Sequence, residues 1–128
     1  MKSILFVCIE NSNRSQMAQA FAIMHGRETV RAYSAGSRPS GVINPKAIAA
    51  LKELGYDLSA HHSKSLEQIP AITYDYVVTM GCGDACPWVA GQRVDWQIPD
   101  PRDMNAEEFN KVRDLIEQKV KALLSSMG

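Results

Sequence analysis

Eight consecutive residues near the start of the chain, Cys8-Ile9-Glu10-Asn11-Ser12-Asn13-Arg14-Ser15, bring a thiol, a guanidinium and hydroxyls together around one polar loop. Cys8 ends an apolar run, five residues separate it from Arg14, and a helical pattern begins at about Ser15. A loop of that length can curl the backbone N–H groups of Ile9, Glu10, Asn11, Ser12, Asn13, Arg14 and Ser15 toward a common centre. The helix N-terminus adds positive potential at the same place. Arg14 supplies a planar, bidentate contact to a tetrahedral oxyanion, which a lysine would match poorly. The same field favours the thiolate form of Cys8, a nucleophile at neutral pH. Ser15 can donate a hydrogen bond to that thiolate, and Asn11 suits a left-handed turn that ties the loop together. A strand-end cysteine alone reads as readily as a buried core residue. It is the whole Cys-x5-Arg-Ser string, between a strand and a helix, that points to an oxyanion cradle holding a nucleophile.

Chemistry at a tetrahedral oxyanion also needs an acid to protonate the departing oxygen. Asp100, followed by Pro101, lies in a constrained loop before the last helical segment and is the candidate, although Asp-Pro is equally a turn signal. Capping of that last helix falls to Asn105, with Glu108 three residues on in the manner of a capping box. The other two cysteines form Cys82-Gly-Asp-Ala-Cys86. Such a pair can close a disulfide if the loop brings their Cα atoms within about 7 Å. An inert buried pair is the alternative, against which Gly81, Gly83 and Asp84 argue. Zinc held with His61 and His62 is another, but Cys-x3-Cys with a distant His-His is a weak metal signature. The two histidines read as surface or turn residues after a helix, and no metal site is expected.

These residues must be positioned by the elements around them. Ser3 to Cys8 is a short apolar run of strand formers. The helix that follows carries Met17, Phe21 and Met24 on one face and ends near Gly26. Thr29 to Ser34 alternates like a strand and is closed by Ala35-Gly36. Asn44-Pro45 opens a second helix, with Ala47, Ile48, Leu51 and Leu54 inward and Gly55 at its end. Tyr74 to Met80 is a buried-strand pattern, Gly81 to Gln92 a loop, and Trp96 to Met104, with two prolines, irregular. From about Ala106 a last helix presents Phe109, Val112, Ile116, Val120 and Leu123. Strands alternating with helices predict an α/β domain with a mainly parallel sheet, whose ligand sites lie at the carboxyl ends of its strands. Cys8 and Cys82 both lie at or just past such ends.

The 128 residues suggest one domain, 1–128, able to bury a core without disulfides. Fourteen basic and fourteen acidic residues cancel, so a nucleic-acid-coating role lacks its driving force and any attraction for an anion must be local. Three cysteines, an odd number, argue against a secreted disulfide framework. The run from Ile4 to Ile9 is too short to cross a membrane and reads as a strand, not a secretion signal. The expectation is a cytoplasmic protein with reduced thiols, with neither nucleic acid nor membrane as a partner.

A strand–Cys-x5-Arg-Ser–helix unit near the start, with Asp-Pro before the last helix, resembles the low-molecular-weight protein tyrosine phosphatase superfamily. Gly55 to His61 is similar to that family's segment after the second helix. Within it, Asn11 to Gln19 (NSNRSQMAQ) resembles the arsenate reductases. The resemblance implies a three-layer α/β/α fold with a four-stranded, mainly parallel sheet, and a monomer with no bound cofactor. It also implies a relay: Cys8 attacks arsenate while Asp100 protonates the departing oxygen. Cys82 then attacks Cys8 to release arsenite, and Cys86 resolves Cys82 by thiolate–disulfide exchange. The Cys82–Cys86 disulfide is reduced by thioredoxin or a low-molecular-weight thiol system. Three features depart from the pattern. Asn13 stands where many arsenate reductases have a cysteine, and the Cys82–Cys86 spacing is shorter than in the thioredoxin-coupled members. Arg102-Asp103 stand where phosphatases place tyrosines. A phosphatase whose cysteine pair protects Cys8, and a non-catalytic oxyanion or redox sensor, are the other two readings.

Overall fold

A computed structural model describes residues 1–80 and 89–127. Cys82, Cys86 and Trp88 lie outside the described residues, and so does most of the loop expected from Gly81.

Strand β1 spans Lys2–Cys8 and leads through the polar loop into helix α1, Arg14–Gly26. Strand β2, Val30–Gly36, is followed by helix α2, Pro45–Lys52, and by 3-10 turns at Leu58–Ala60 and Leu66–Gln68. Strand β3 is Tyr74–Met80, β4 is Gly91–Trp96, and the long helix α3 is Ala106–Met127. The sheet order is β2-β1-β3-β4 and every pairing is parallel. In the register Cys8 pairs with Gly36 and Val7 with Thr79. The carboxyl ends of β2, β1 and β3 therefore meet at one level, and the polar loop leaves the sheet there.

Alternation along β1 divides the core. Ile4, Phe6 and Cys8 join a cluster with Met17 and Phe21 of α1, Leu51 of α2 and Ile116 of α3. Helices α1, α2 and α3 all contribute to this one cluster. Leu5 and Val7 face the other way, against Ala35, Tyr74 and Val77, and Leu66 and Ile69 of the second 3-10 segment pack over them. That segment forms the third layer among the described residues.

Helix ends follow the expected chemistry. Asn44 caps α2 by accepting from the Lys46 N–H at 2.9 Å, with Pro45 at the first position. Past Lys52 the chain closes with Gly55 N–H to Lys52 O and Tyr56 N–H to Leu51 O. This double bond pattern needs a left-handed residue before Tyr56, and Gly55 supplies it with φ of 83°. The tight exit turns Leu54 outward: it is 38% exposed, not on the buried face that its spacing predicts. Asn105 accepts from the Glu108 N–H at 2.9 Å and caps α3 as expected. Phe109, Val112, Ile116 and Val120 are buried, and Leu123 is half-buried. Two further differences concern strands. β2 continues through Ala35 and Gly36, because both pair with β1. Gly91 and Gln92, expected in a loop, begin β4, an edge strand exposed along most of its length. With one side in solvent it needs no apolar run, so periodicity cannot reveal it.

Candidate active site

Loop 9–13 owes its shape to the segment that follows β2. The carbonyl oxygens of Cys8, Ile9, Glu10 and Ser12 accept from the backbone N–H groups of Ser37, Arg38, Ser40 and Asn44, at 2.8 to 3.2 Å. A trans peptide holds each C=O antiparallel to the next N–H. With those carbonyls drawn outward, the N–H groups of Ile9, Glu10, Asn11 and Asn13 point to the opposite side. That is the side on which the spacing leads one to expect an anion-binding nest. Asn11 makes the turn with φ of 51°, in the left-handed region. Gly36 lets β2 press against the loop. A Cβ there would stand 2.6 Å from Ile9 O and 2.9 Å from Asn11 N.

The nest opens into a cleft of about 360 Å³. Cys8, Ile9, Glu10, Ser12, Asn13 and Arg14 line it from the loop, and Arg38, Asp100 and Arg102 from elsewhere. Cys8 is a free, buried thiol whose Sγ lies 2.8 Å from Ser15 Oγ. The Arg14 side chain is 8% exposed. Its Nη1 donates to Ile98 O at 3.1 Å, and its Nη2 is 3.9 Å from Asp100 Oδ2. Asp100 thus faces the cleft, while its Oδ1 accepts from the Arg102 N–H at 3.1 Å. The turn hydrogen bond and the position facing the cleft coexist. Arg102 Nη1 also pairs with Glu10 Oε1 at 2.5 Å, tying the loop after β4 to the nest.

Ser15 and Asn11 are not among the lining residues; both are fully buried. Asn11 Nδ2 donates to Ser15 Oγ at 2.7 Å, and Asn11 Oδ1 accepts from the Lys64 N–H at 2.9 Å. Gln16, also fully buried, donates from Nε2 to Asn11 Oδ1 at 2.8 Å, to Asn11 O at 3.1 Å and to His62 O at 2.8 Å. Its Oε1 lies 3.0 Å from His61 Nδ1, and His61 Nε2 lies 2.6 Å from the Tyr56 hydroxyl. Burial, with the nearby Lys64 ammonium and His62 as smaller causes, pushes the His61 pKa down to about 4. His61 is therefore neutral at pH 7. It is half-buried and engaged at both ring nitrogens, not the surface residue that its position suggests. Neither nitrogen has a free lone pair for a metal. Among the described residues no group of His, Cys, Asp or Glu could hold a metal ion.

Of the residues singled out in the sequence, Cys8, Arg14 and Asp100 come together at this cleft, with Ser15 buried behind Cys8. Cys82 and Cys86 lie outside the described residues. Arg38 and Gln16 went unread, and His61 reads in the sequence as a surface or turn residue. Gln16 carried a signal, since a polar residue one turn before the buried Ala20 sits on the helix face that packs inward.

A strand-end thiol in an amide nest, an arginine over it and an aspartate across the cleft place the chain in a class. Residues 3–128 match the model of the low molecular weight phosphotyrosine protein phosphatase family, and the chain belongs to that family. A glutaredoxin arsenate reductase of Synechocystis sp. is 38% identical over 100% of both chains. Arsenate reductase 2 of Staphylococcus saprophyticus is 41% identical over 94% of each. A solved structure, described as an arsenate reductase in the phosphate binding state, superposes with a TM-score of 0.90 at 37% identity, covering 100% of both chains.

Proposed function

We propose that this chain reduces arsenate to arsenite, with Cys8 as nucleophile and Cys82 and Cys86 as the exchanging pair. The observation that carries the reading is the convergence of Cys8, Arg14 and Asp100 on one amide-lined cleft, in a chain whose relatives named above are arsenate reductases. The nest and Arg14 hold the tetrahedral oxyanion. The Cys8 thiolate attacks arsenic, and Asp100 gives a proton to the departing oxygen, so that water leaves and a Cys8–As bond forms. Reduction of As(V) to As(III) takes two electrons, and thiols supply them. Cys82 attacks Cys8 Sγ, the S–As bond breaks with its electron pair passing to arsenic, and arsenite leaves a Cys8–Cys82 disulfide. Cys86 then attacks Cys82 and frees the Cys8 thiolate. A dithiol protein of the thioredoxin or glutaredoxin class reduces the Cys82–Cys86 disulfide that remains.

The strand register supports this route. Thr79 pairs with Val7, so β3 ends at Met80 on the strand beside Cys8, two residues before Cys82. Because thiols carry the electrons, the reaction needs no resident metal or cofactor, and a monomer suffices. Cytoplasm is the compartment that keeps the three thiols reduced. No helix among the described residues is long and apolar enough to cross a membrane.

Arsenate-dependent oxidation of NADPH, coupled through thioredoxin or through glutathione and glutaredoxin, measures the activity. In the Cys86→Ser variant, intact mass after arsenate should show Cys8–Cys82 accumulating. Absence of turnover with both reductant systems overturns the reading, and rapid hydrolysis of an aryl phosphate without it would establish the phosphatase alternative.

A further inference from the structure

The polar groups behind Cys8 can be oriented one by one. Gln16 Nε2 faces three acceptors, the oxygens of Asn11 O, Asn11 Oδ1 and His62 O, so it is the amide nitrogen. Gln16 Oε1 is then an acceptor, and His61 Nδ1, 3.0 Å away, must carry a proton. A neutral imidazole has only one, which leaves His61 Nε2 bare to accept from the Tyr56 hydroxyl at 2.6 Å. Asn11 Oδ1 takes two donors, Gln16 Nε2 and the Lys64 N–H, so Asn11 Nδ2 is the group that donates to Ser15 Oγ at 2.7 Å. Ser15, whose lone pair is occupied, directs its own proton to Cys8 Sγ at 2.8 Å.

We propose that Tyr56 and His61 are positioning residues for Cys8, the outer end of one line of hydrogen bonds through Gln16, Asn11 and Ser15 in which every proton points toward the sulfur. Each donor in such a line polarises the next, so the bond that reaches the thiolate is stronger than an isolated Ser–Cys pair. Gln16, Asn11 and Ser15 are fully buried, which keeps water from substituting for a missing link in the middle. Reversing one link, such as the His61 tautomer, would set two donors or two acceptors face to face and break the line. Tyr56, itself half-buried in the segment after α2, thereby reaches the nucleophile without touching it. The inference rests on Cys8 being the nucleophile of the proposed reaction, but its test does not use arsenate.

Two measurements decide it. A side-chain 1H–15N correlation of the intact protein at pH 7 should show His61 protonated at Nδ1 and bare at Nε2; the opposite tautomer overturns the proposal. The second is the rate of iodoacetamide alkylation at Cys8, resolved from Cys82 and Cys86 by peptide mass mapping. At pH 6, Tyr56→Phe should slow it about twofold and His61→Leu further, as expected for losing the cooperative share of a hydrogen bond to a charged group. At pH 10, above the ordinary range of a cysteine thiol, all three proteins should react alike. The charged groups facing Cys8 among the described residues are Glu10, Arg14, Arg38, Asp100 and Arg102, and those near His61 are Asp57, His62 and Lys64. Both variants leave them in place. Equal rates at pH 6, or a deficit that persists at pH 10 as altered access to sulfur would give, overturns the proposal. Should His61→Leu fail to fold, Tyr56→Phe, which removes one oxygen from a half-buried ring, carries the test.

Discussion

Arg14 holds the site together from its centre. Its guanidinium is tied to Ile98 O at 3.1 Å and faces Asp100, so the anion meets an arginine already oriented by the loop after β4. A lysine would keep the charge but lose the anchored, planar fork. Arg14→Lys should therefore weaken phosphate binding by about tenfold in a calorimetric titration, more than a mere change of cation predicts. A second residue-scale consequence belongs to His61. Its pKa in the folded chain is about 4, below the ordinary 6.5 of an unfolded histidine. Between those values the unfolded chain binds more protons, so the contribution of His61 to stability is complete above pH 6.5 and is lost as pH falls through 4. The urea midpoint should decline over that window, and His61→Leu should flatten the decline. An unchanged slope in the variant would assign it to other groups.

At the scale of elements, the strand–loop–helix unit does the positioning, and the helices behind it must stay seated. Helix α3 runs for 22 residues on a cap made by Asn105. Asn105→Ala should cost about 1 kcal/mol, measured as a shift in the denaturant midpoint at constant slope. What could be read in advance follows from how each feature is encoded. Cys8, Arg14 and Ser15 are a local string, and the left-handed Asn11 is a local turn, so residue type and spacing were enough. The helix faces were legible because burial repeats every turn; Leu54 was misplaced because the glycine-closed exit from α2 turns it outward. β4 escaped because an exposed edge strand carries no apolar period. Arg38 reaches the cleft only through the pairing of Gly36 with Cys8, and His61 meets Gln16 across 45 residues of chain. Neither relation exists until the sheet is formed.

For the whole molecule, the equal numbers of basic and acidic residues take on a definite meaning. The cleft gathers Arg14, Arg38 and Arg102 but sets Glu10 and Asp100 among them, and Glu10 already pairs with Arg102. Under the proposed reading anion capture relies on short contacts from the nest and Arg14, which salt screens little, and not on a long-range basic field. The phosphate dissociation constant should change less than about threefold between 50 and 500 mM NaCl; a steep dependence would mean that surface charge does the work. The odd number of cysteines likewise fits one nucleophile and one exchangeable pair under the proposed relay. Gly36 has one more thing to say. It bears nothing that can react, bind or titrate, yet any other residue would drive a carbon into the Ile9 carbonyl and the Asn11 amide. A descendant of this chain can lose its proposed nucleophile by changing Cys8, and it can lose the loop that holds it as surely by gaining a single methyl group on the neighbouring strand. The site is specified by an empty space as much as by its thiol.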